Sequence, residues 1–157
     1  SLVGAGKISR VSALHSYVKT KSLNYDKISS LNVKTEKGLN CRIFQDVVTR
    51  PTSKRLKIVS NEGYIEWVCN FKKNIDMVSW KNKNLLHKKE FKKTRADDFI
   101  NEIKHLRNVI IKKGTSPISL ARGADTMMVI SAAHKSSLLN KHVTINYNKG
   151  YKLTSIS

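Results

Sequence analysis

The chain has no run of about 18 apolar residues, the length that a bilayer-spanning helix needs, and its start lacks the long apolar segment of a signal peptide. A soluble protein is expected. Only two cysteines are present, Cys41 and Cys69, and both lie in strand-like stretches. They read as small core residues rather than as half of a disulfide framework, and a reducing cytoplasm is the expected compartment. The five histidines show no H-x-x-x-H spacing and the cysteines no C-x-x-C, so no metal site is expected. Acidic residues are also scarce: 11 Asp and Glu stand against 30 Lys and Arg, a formal net charge of +19.

Such an excess draws polyanions, whether nucleic acid or an acidic surface. The cations are nevertheless spread from Lys7 to Lys152, with only short clusters at Lys72-Lys73, Lys81 to Lys93 and Lys112-Lys113. Most are Lys rather than the Arg favoured for bidentate recognition, and abundant Asn beside abundant Lys fits codon bias equally well. No recognition helix, aromatic RNA-binding motif or zinc-ligand set accompanies the charge. A basic nucleic-acid or polyanion-binding module is therefore the second functional reading, not the first.

What is abundant is alternation. Lys7 to Val18, Ile28 to Thr35 and Leu39 to Val48 carry apolar residues with a period near two, which places alternate side chains on opposite faces of a sheet. Thr49-Arg50-Pro51 stops the third segment. Arg55 to Val59 and Tyr64 to Cys69 flank Ser60-Asn61-Glu62-Gly63 and predict a hairpin in which Gly63 takes a positive φ. Ile75 to Trp80 reads as a further strand, and the basic stretch Lys81 to Lys93 as an exposed loop. With no helix among these segments, the sheet should be mainly antiparallel.

The last third changes period. Phe99, Ile103, Leu106 and Ile110 share one helical face, and Thr94 with Asp97 has the form of a capping box. Gly114 and Pro117 end that helix. A second helix is predicted from about Ser119 to Leu139, with Leu120, Ala124, Met127, Met128, Ala132 and Leu138 as its buried stripe. Asn140-Lys141 breaks it, and His142 to Tyr147 returns as a short strand, followed by a weakly patterned tail. The expected fold is α+β: an open, mainly antiparallel β-sheet of about six strands with two C-terminal helices packed on it, in a single domain over residues 1–157.

The order of these elements, with the local sequences G-L-N-C-R-I-F-Q-D-V-V-T-R-P (Gly38 to Pro51) and R-L-K-I-V-S-N-E-G-Y-I-E-W (Arg55 to Trp67), resembles the sheet of the glucose-fructose oxidoreductase, inositol dehydrogenase and MocA family. F-I-N-E-I-K-H-L (Phe99 to Leu106), the run from Ser116 to Ser137 and H-V-T-I (His142 to Ile145) are similar to that family's closing helices and last strand. The resemblance covers roughly Gly38 to Tyr147. It implies the C-terminal, substrate-side domain of an oxidoreductase that moves a hydride between NAD or NADP and a sugar or polyol hydroxyl, with homo-oligomer formation through the open sheet face. The cofactor is not expected to be bound by this chain alone.

Measured against that family, the nucleotide-binding Rossmann domain is absent. So are that domain's E-K-P-type lysine segment and the D-x-x-x-H helix after a triple glycine, of which the family's order would place the helix between Val18 and Ile28. A truncated gene or an omitted segment between Asp26 and Ile28 would account for this, and no catalytic residue is assigned. The glycine-rich opening V-G-A-G-K-I-S-R (Val3 to Arg10) could serve as a pyrophosphate turn through Gly4 and Gly6, but it fits better as the entry to the first sheet strand. The resemblance places that strand and its following loop at the sugar pocket, which makes Tyr17, Tyr25 and Asp26 the candidate substrate-binding residues. The histidines have no carboxylate near them in sequence, so only a distant partner could orient one as an acid or base. Trp67 and Met127-Met128 read as core.

Overall fold

A computed structural model of the chain describes residues 6–157. Its fold class is the expected one, α+β, but the strands number eight and divide into two antiparallel four-stranded sheets in place of one sheet of about six. The chain forms two compact units: residues up to Val48 together with Pro117–Ser157, and Thr49–Ser116.

In the first unit, β1 (Ile8–Lys19), β2 (Asn24–Thr35), β3 (Asn40–Asp46) and the short β8 (Val143–Thr144) lie in the order β3-β2-β1-β8. Alternation sorts their side chains. Val11, Ala13, Leu31, Val33 and Val143 are buried against the helix α2 (Leu120–Leu139), while Arg10, Ser12, Leu14, Asn32 and Lys34 point the other way and are exposed. The α2 stripe differs from the predicted one. Met128, Ala132, Ala133 and Ser136 are buried, whereas Leu120 and Leu138 are 91% and 85% exposed and Met127 is exposed as well.

The reason is steric and polar together. Small residues at 132, 133 and 136 let the helix approach β1 closely enough for hydrogen bonding. The Ala13 N–H donates to Ser136 Oγ at 2.9 Å, the His15 N–H donates to Ser137 Oγ at 3.0 Å, and Ser136 Oγ donates in turn to the Lys141 carbonyl at 2.6 Å. Asn140 closes the helix in the left-handed conformation, φ 50°, as the predicted break requires. The tail is more ordered than its pattern implies, for Ile156 is buried in the core and bridges Ile145.

In the second unit, β4 (Arg55–Ser60), β5 (Gly63–Lys72), β6 (Ile75–Asn82) and β7 (Leu85–Lys92) form a meander, followed by α1 (Arg95–Ile111). The predicted hairpin is present, with Ser60 paired to Gly63. Gly63 has φ +155°, and a Cβ there would collide with the Lys81 carbonyl oxygen. The basic loop expected over Lys81 to Lys93 is instead the end of β6, a turn and β7. Its lysines mask an alternation in which Leu85, His87, Lys89 and Phe91 face one side, and charged residues are what an edge strand uses to discourage further pairing.

Helix α1 begins where expected, with the Thr94 N–H donating to the Asp97 carboxylate at 2.6 Å. That bond holds the Asp97 carboxyl below the usual carboxylate range. The helix buries none of its residues, however, and Ile110 on its apolar stripe is 75% exposed. Only α2 of the two predicted helices is thus packed down. No helix among the described residues is long and apolar enough to cross a membrane.

The polar anchor of the second unit is Asp76, 6% exposed. Burial pushes its carboxyl pKa up, but three donors outweigh that and hold it below its ordinary value. They are the Asn70 N–H at 2.9 Å, the Lys93 ammonium at 3.1 Å and Trp67 Nε1–H at 3.1 Å. Because the folded pKa is depressed, this contribution to stability is complete above the unfolded carboxyl pKa and is lost as pH falls through the folded value. Asp76→Ala should cost about 2 kcal/mol in urea unfolding at neutral pH, since three donors, two of them in part-buried hydrogen bonds, lose their acceptor, and the deficit should shrink below about pH 4. For Ser136→Ala, which strips the Ala13 N–H and the Lys141 carbonyl of a partner, a loss of about 1–2 kcal/mol is expected by the same measurement.

Candidate functional site

The first unit concentrates its acid-base chemistry where the far ends of β1 and β2 meet α2. In a regular ladder Tyr17 would oppose Lys27, and Asp26 would point away from the helix. The β1–β2 register instead shifts between Ser16, paired with Ile28, and Tyr17, paired with Asp26, leaving Lys27 as the extra residue of a bulge. The bulge re-aims Asp26 onto the α2 side, where His15, Tyr17 and Ser29 also lie. From above, α2 contributes His134, two and three residues before the serines that fasten the helix to β1.

These side chains form one connected group. His15, its side chain only 4% exposed, shares a hydrogen bond between Nδ1 and Ser29 Oγ at 2.8 Å and lies 3.8 Å from Asp26 Oδ2. His134 stacks on His15 with ring centroids 4.7 Å apart, and its Nε2 is 3.4 Å from the same Asp26 oxygen. On its other side, His134 Nδ1 is 3.3 Å from the Tyr17 hydroxyl. His15 Nε2 is buried without a hydrogen-bond partner. His134, Tyr17 and Asp26 are partly open to solvent and form the mouth of the group.

The order hydroxyl, imidazole, carboxylate is the arrangement that makes an imidazole a competent proton acceptor. With Nε2–H directed at Asp26, the His134 Nδ1 lone pair faces the hydroxyl of Tyr17 or of a ligand that takes its place. Among the described residues, no group of three or more His, Cys, Asp or Glu is placed to hold a metal ion.

Of the three residues named from the sequence, the structure brings Tyr17 and Asp26 together as direct cross-strand partners. Tyr25 pairs with Val18 on the opposite face of the sheet and stands apart from the group. His15 and His134 were not singled out. His15 was within reach of sequence reasoning, because a β1–β2 hairpin with a bulge places it near Asp26. His134 was not, since its position depends on how α2 seats on the sheet.

Among the described residues, the glycine-rich opening does not form a pyrophosphate-binding turn. Gly6 has φ +81° and leads through Lys7 directly into β1, so no helix N-terminus follows it to receive a pyrophosphate. Gly4 lies outside the described residues. Lys7 is engaged instead with the C-terminal segment, donating to the Tyr151 hydroxyl at 2.7 Å and pairing with Asp125 at 3.2 Å, and the Tyr151 hydrogen bond raises its pKa.

No protein-family model matches the sequence, and no curated protein sequence matches it. Solved structures do. An aldose-aldose oxidoreductase from Caulobacter crescentus, crystallised with glycerol, superposes with a TM-score of 0.75 at 14% identity over 92% of this chain and 43% of that one. An oxidoreductase from Agrobacterium radiobacter in complex with NAD+, L-tartaric acid and magnesium gives 0.72 at 13% identity, over 89% of this chain and 44% of that one. A putative NADPH-dependent oxidoreductase from Desulfitobacterium hafniense gives 0.70 at 14%, over 91% and 43%. The chain therefore spans less than half the length of the oxidoreductases it is similar to. At 13–14% identity the likeness is one of fold: the chain shares its α+β architecture with a part, less than half, of each of these oxidoreductases.

Proposed function

We propose that residues 1–157 act as the substrate-side and oligomerisation domain of a nicotinamide-dependent oxidoreductase working on a sugar or polyol hydroxyl. The observation that carries the reading is the Tyr17–His134–Asp26 group on a fold shared with such enzymes. A ligand hydroxyl replacing Tyr17 at His134 Nδ1 would give up its proton to an imidazole that Asp26 orients. The buried and unpaired His15 Nε2 is a further polar atom for a ligand to satisfy. NAD or NADP belongs, in this proposal, to a separate nucleotide-binding domain that supplies the hydride acceptor. The chain by itself contributes capture and orientation of the hydroxyl.

Oligomer formation falls in this reading to the second sheet. One face of it gathers Leu56, Ile58, Ile65, Trp67, Val78, Trp80 and Phe91, of which Leu56, Ile65 and Phe91 are exposed. A second copy of the chain would cover such a face.

Titrating the isotope-labelled chain with glycerol, tartrate and glucose should move the side-chain resonances of Tyr17, Asp26 and His134, and Asp26→Asn should weaken the effect about tenfold, the loss of one charge-assisted hydrogen bond. Shifts absent at all three residues would sink the reading. The 157-residue chain alone should leave NAD and NADP unreduced with the same compounds. Light scattering should find a dimer or higher species that Ile65→Lys returns to monomer, and only monomer at high concentration would refute the oligomer.

A further inference from the structure

From the open face of the first sheet we infer a second site, a binding surface for single-stranded nucleic acid. This face lies opposite the His134 group and is independent of the proposed oxidoreductase role. Across its strands run two polar rows: Thr144, Arg10, Lys34 and Asn40, then Ser12, Asn32 and Arg42. The next row holds Leu14, Ser30 and Phe44, with Leu14 and Phe44 exposed by 66% and 64%. Three cations, several hydrogen-bonding groups and one exposed aromatic ring thus share a single pleated surface.

The placement of the cations is the argument. Lysine on an edge strand is explained by protection of that edge, but Arg10 and Lys34 sit on β1 and β2, the two central strands of the order β3-β2-β1-β8. There is no edge for them to guard. Directly opposed like charges destabilise a sheet, yet Arg10 and the adjacent Lys34 are cross-strand partners. Arg42 lies on the diagonal from Lys34, and its Nε donates to Asn32 Oδ1 at 3.4 Å, which holds the guanidinium over the row and leaves its terminal amino groups for a phosphate. The nearby Glu36 accepts the Lys7 N–H at 3.3 Å and leaves the three cations in excess of the one carboxylate.

Beside these rows, Ser9, Arg10, Lys34, Glu36, Asn146 and Asn148 line part of an open depression of about 750 Å³, polar in its walls. Charge complementarity selects a polyanion, and it disfavours a second copy of the chain, since pairing this face across a twofold would set three cations against three. The exposed Phe44 ring beside the cations selects a single strand. An unstacked base has a free π-face to lay on an aromatic side chain while its backbone follows the positive row, whereas bases in a duplex are stacked on each other.

The test is fluorescence anisotropy of a labelled deoxythymidine oligomer of about 12 nucleotides, within the span such surfaces cover, titrated with the chain at several salt concentrations. Binding should weaken linearly on a log–log plot. Arg10→Gln/Lys34→Gln/Arg42→Gln should reduce the slope by about two, the share of three phosphate contacts on a single strand. Phe44→Ala should weaken binding about tenfold with the slope unchanged. Lys83→Gln/Lys88→Gln/Lys89→Gln, which removes the same charge from the second unit, should leave the slope where it was. All substituted positions are exposed, so far-UV circular dichroism should match the parent.

An equal fall in slope for both triple variants would overturn the inference, because net charge alone would then be acting. So would an indifferent Phe44→Ala, a duplex bound as tightly as the single strand, or association with phosphatidylserine vesicles in the absence of any oligonucleotide binding. Loss of a dimer in the Arg10, Lys34 and Arg42 variant would assign the face to self-association instead.

Discussion

The seating of α2 on β1 is the constraint on which the first unit depends. Two serine hydroxyls, on Ser136 and Ser137, accept backbone N–H groups of Ala13 and His15 that a regular sheet would leave facing its neighbour strand or solvent. A backbone donor deprived of its partner in a dry core costs as much as a lost side chain contact, so these bonds fix the helix both in height and in rotation. Once rotation is fixed, His134 has nowhere to lie but over His15, and the chemistry of the site follows from a packing decision made two residues away. The bulge at Lys27 does the equivalent work from the sheet side by turning Asp26 inward.

That pairing of devices explains which parts of the molecule were legible in the sequence. Strands announce themselves through period-two alternation, and the hairpin at Ser60 to Gly63, the capping box at Thr94 and the break at Asn140 each rest on local chemistry that needs no knowledge of the rest of the chain. The rotation of α2 does not. By hydropathy Leu120, Met127 and Leu138 are better core residues than Ala133 or Ser136, yet the helix buries the small face because close approach and two hydrogen bonds outweigh larger apolar side chains held farther away. His134 was hidden for the same reason. Tyr17 and Asp26 could be named because they flank a predicted strand exit, but Tyr25, equally plausible by position, falls on the other face since a one-residue bulge reverses the parity of everything beyond it.

The second unit shows the limit of alternation as a signal. In β7 the sequence L-L-H-K-K-E-F-K has apolar residues on both faces and four charges among eight positions, so hydropathy reads it as a loop. What makes it a strand is its neighbour: β6 offers a full ladder from Ile75 to Asn82, and the lysines cost little on an edge where their heads stay hydrated. Asp76 then ties this edge down. Through Lys93, which it shares with Asp98, the carboxylate links β6 to the residue just past β7 and to the first turn of α1. A single buried carboxylate thereby coordinates three successive elements, and it is kept ionised in spite of burial by the donors it organises.

A net charge of +19 is a property of composition, but where each charge falls relative to the sheets is a property of the fold. Lysines on β7 have a structural explanation in edge protection, and Lys93 and Lys7 have partners that account for them. Arg10 and Lys34 have neither. They stand side by side on central strands where apolar or neutral residues would pair with less repulsion. An anion arriving at that face removes the repulsion and gains from both charges at once.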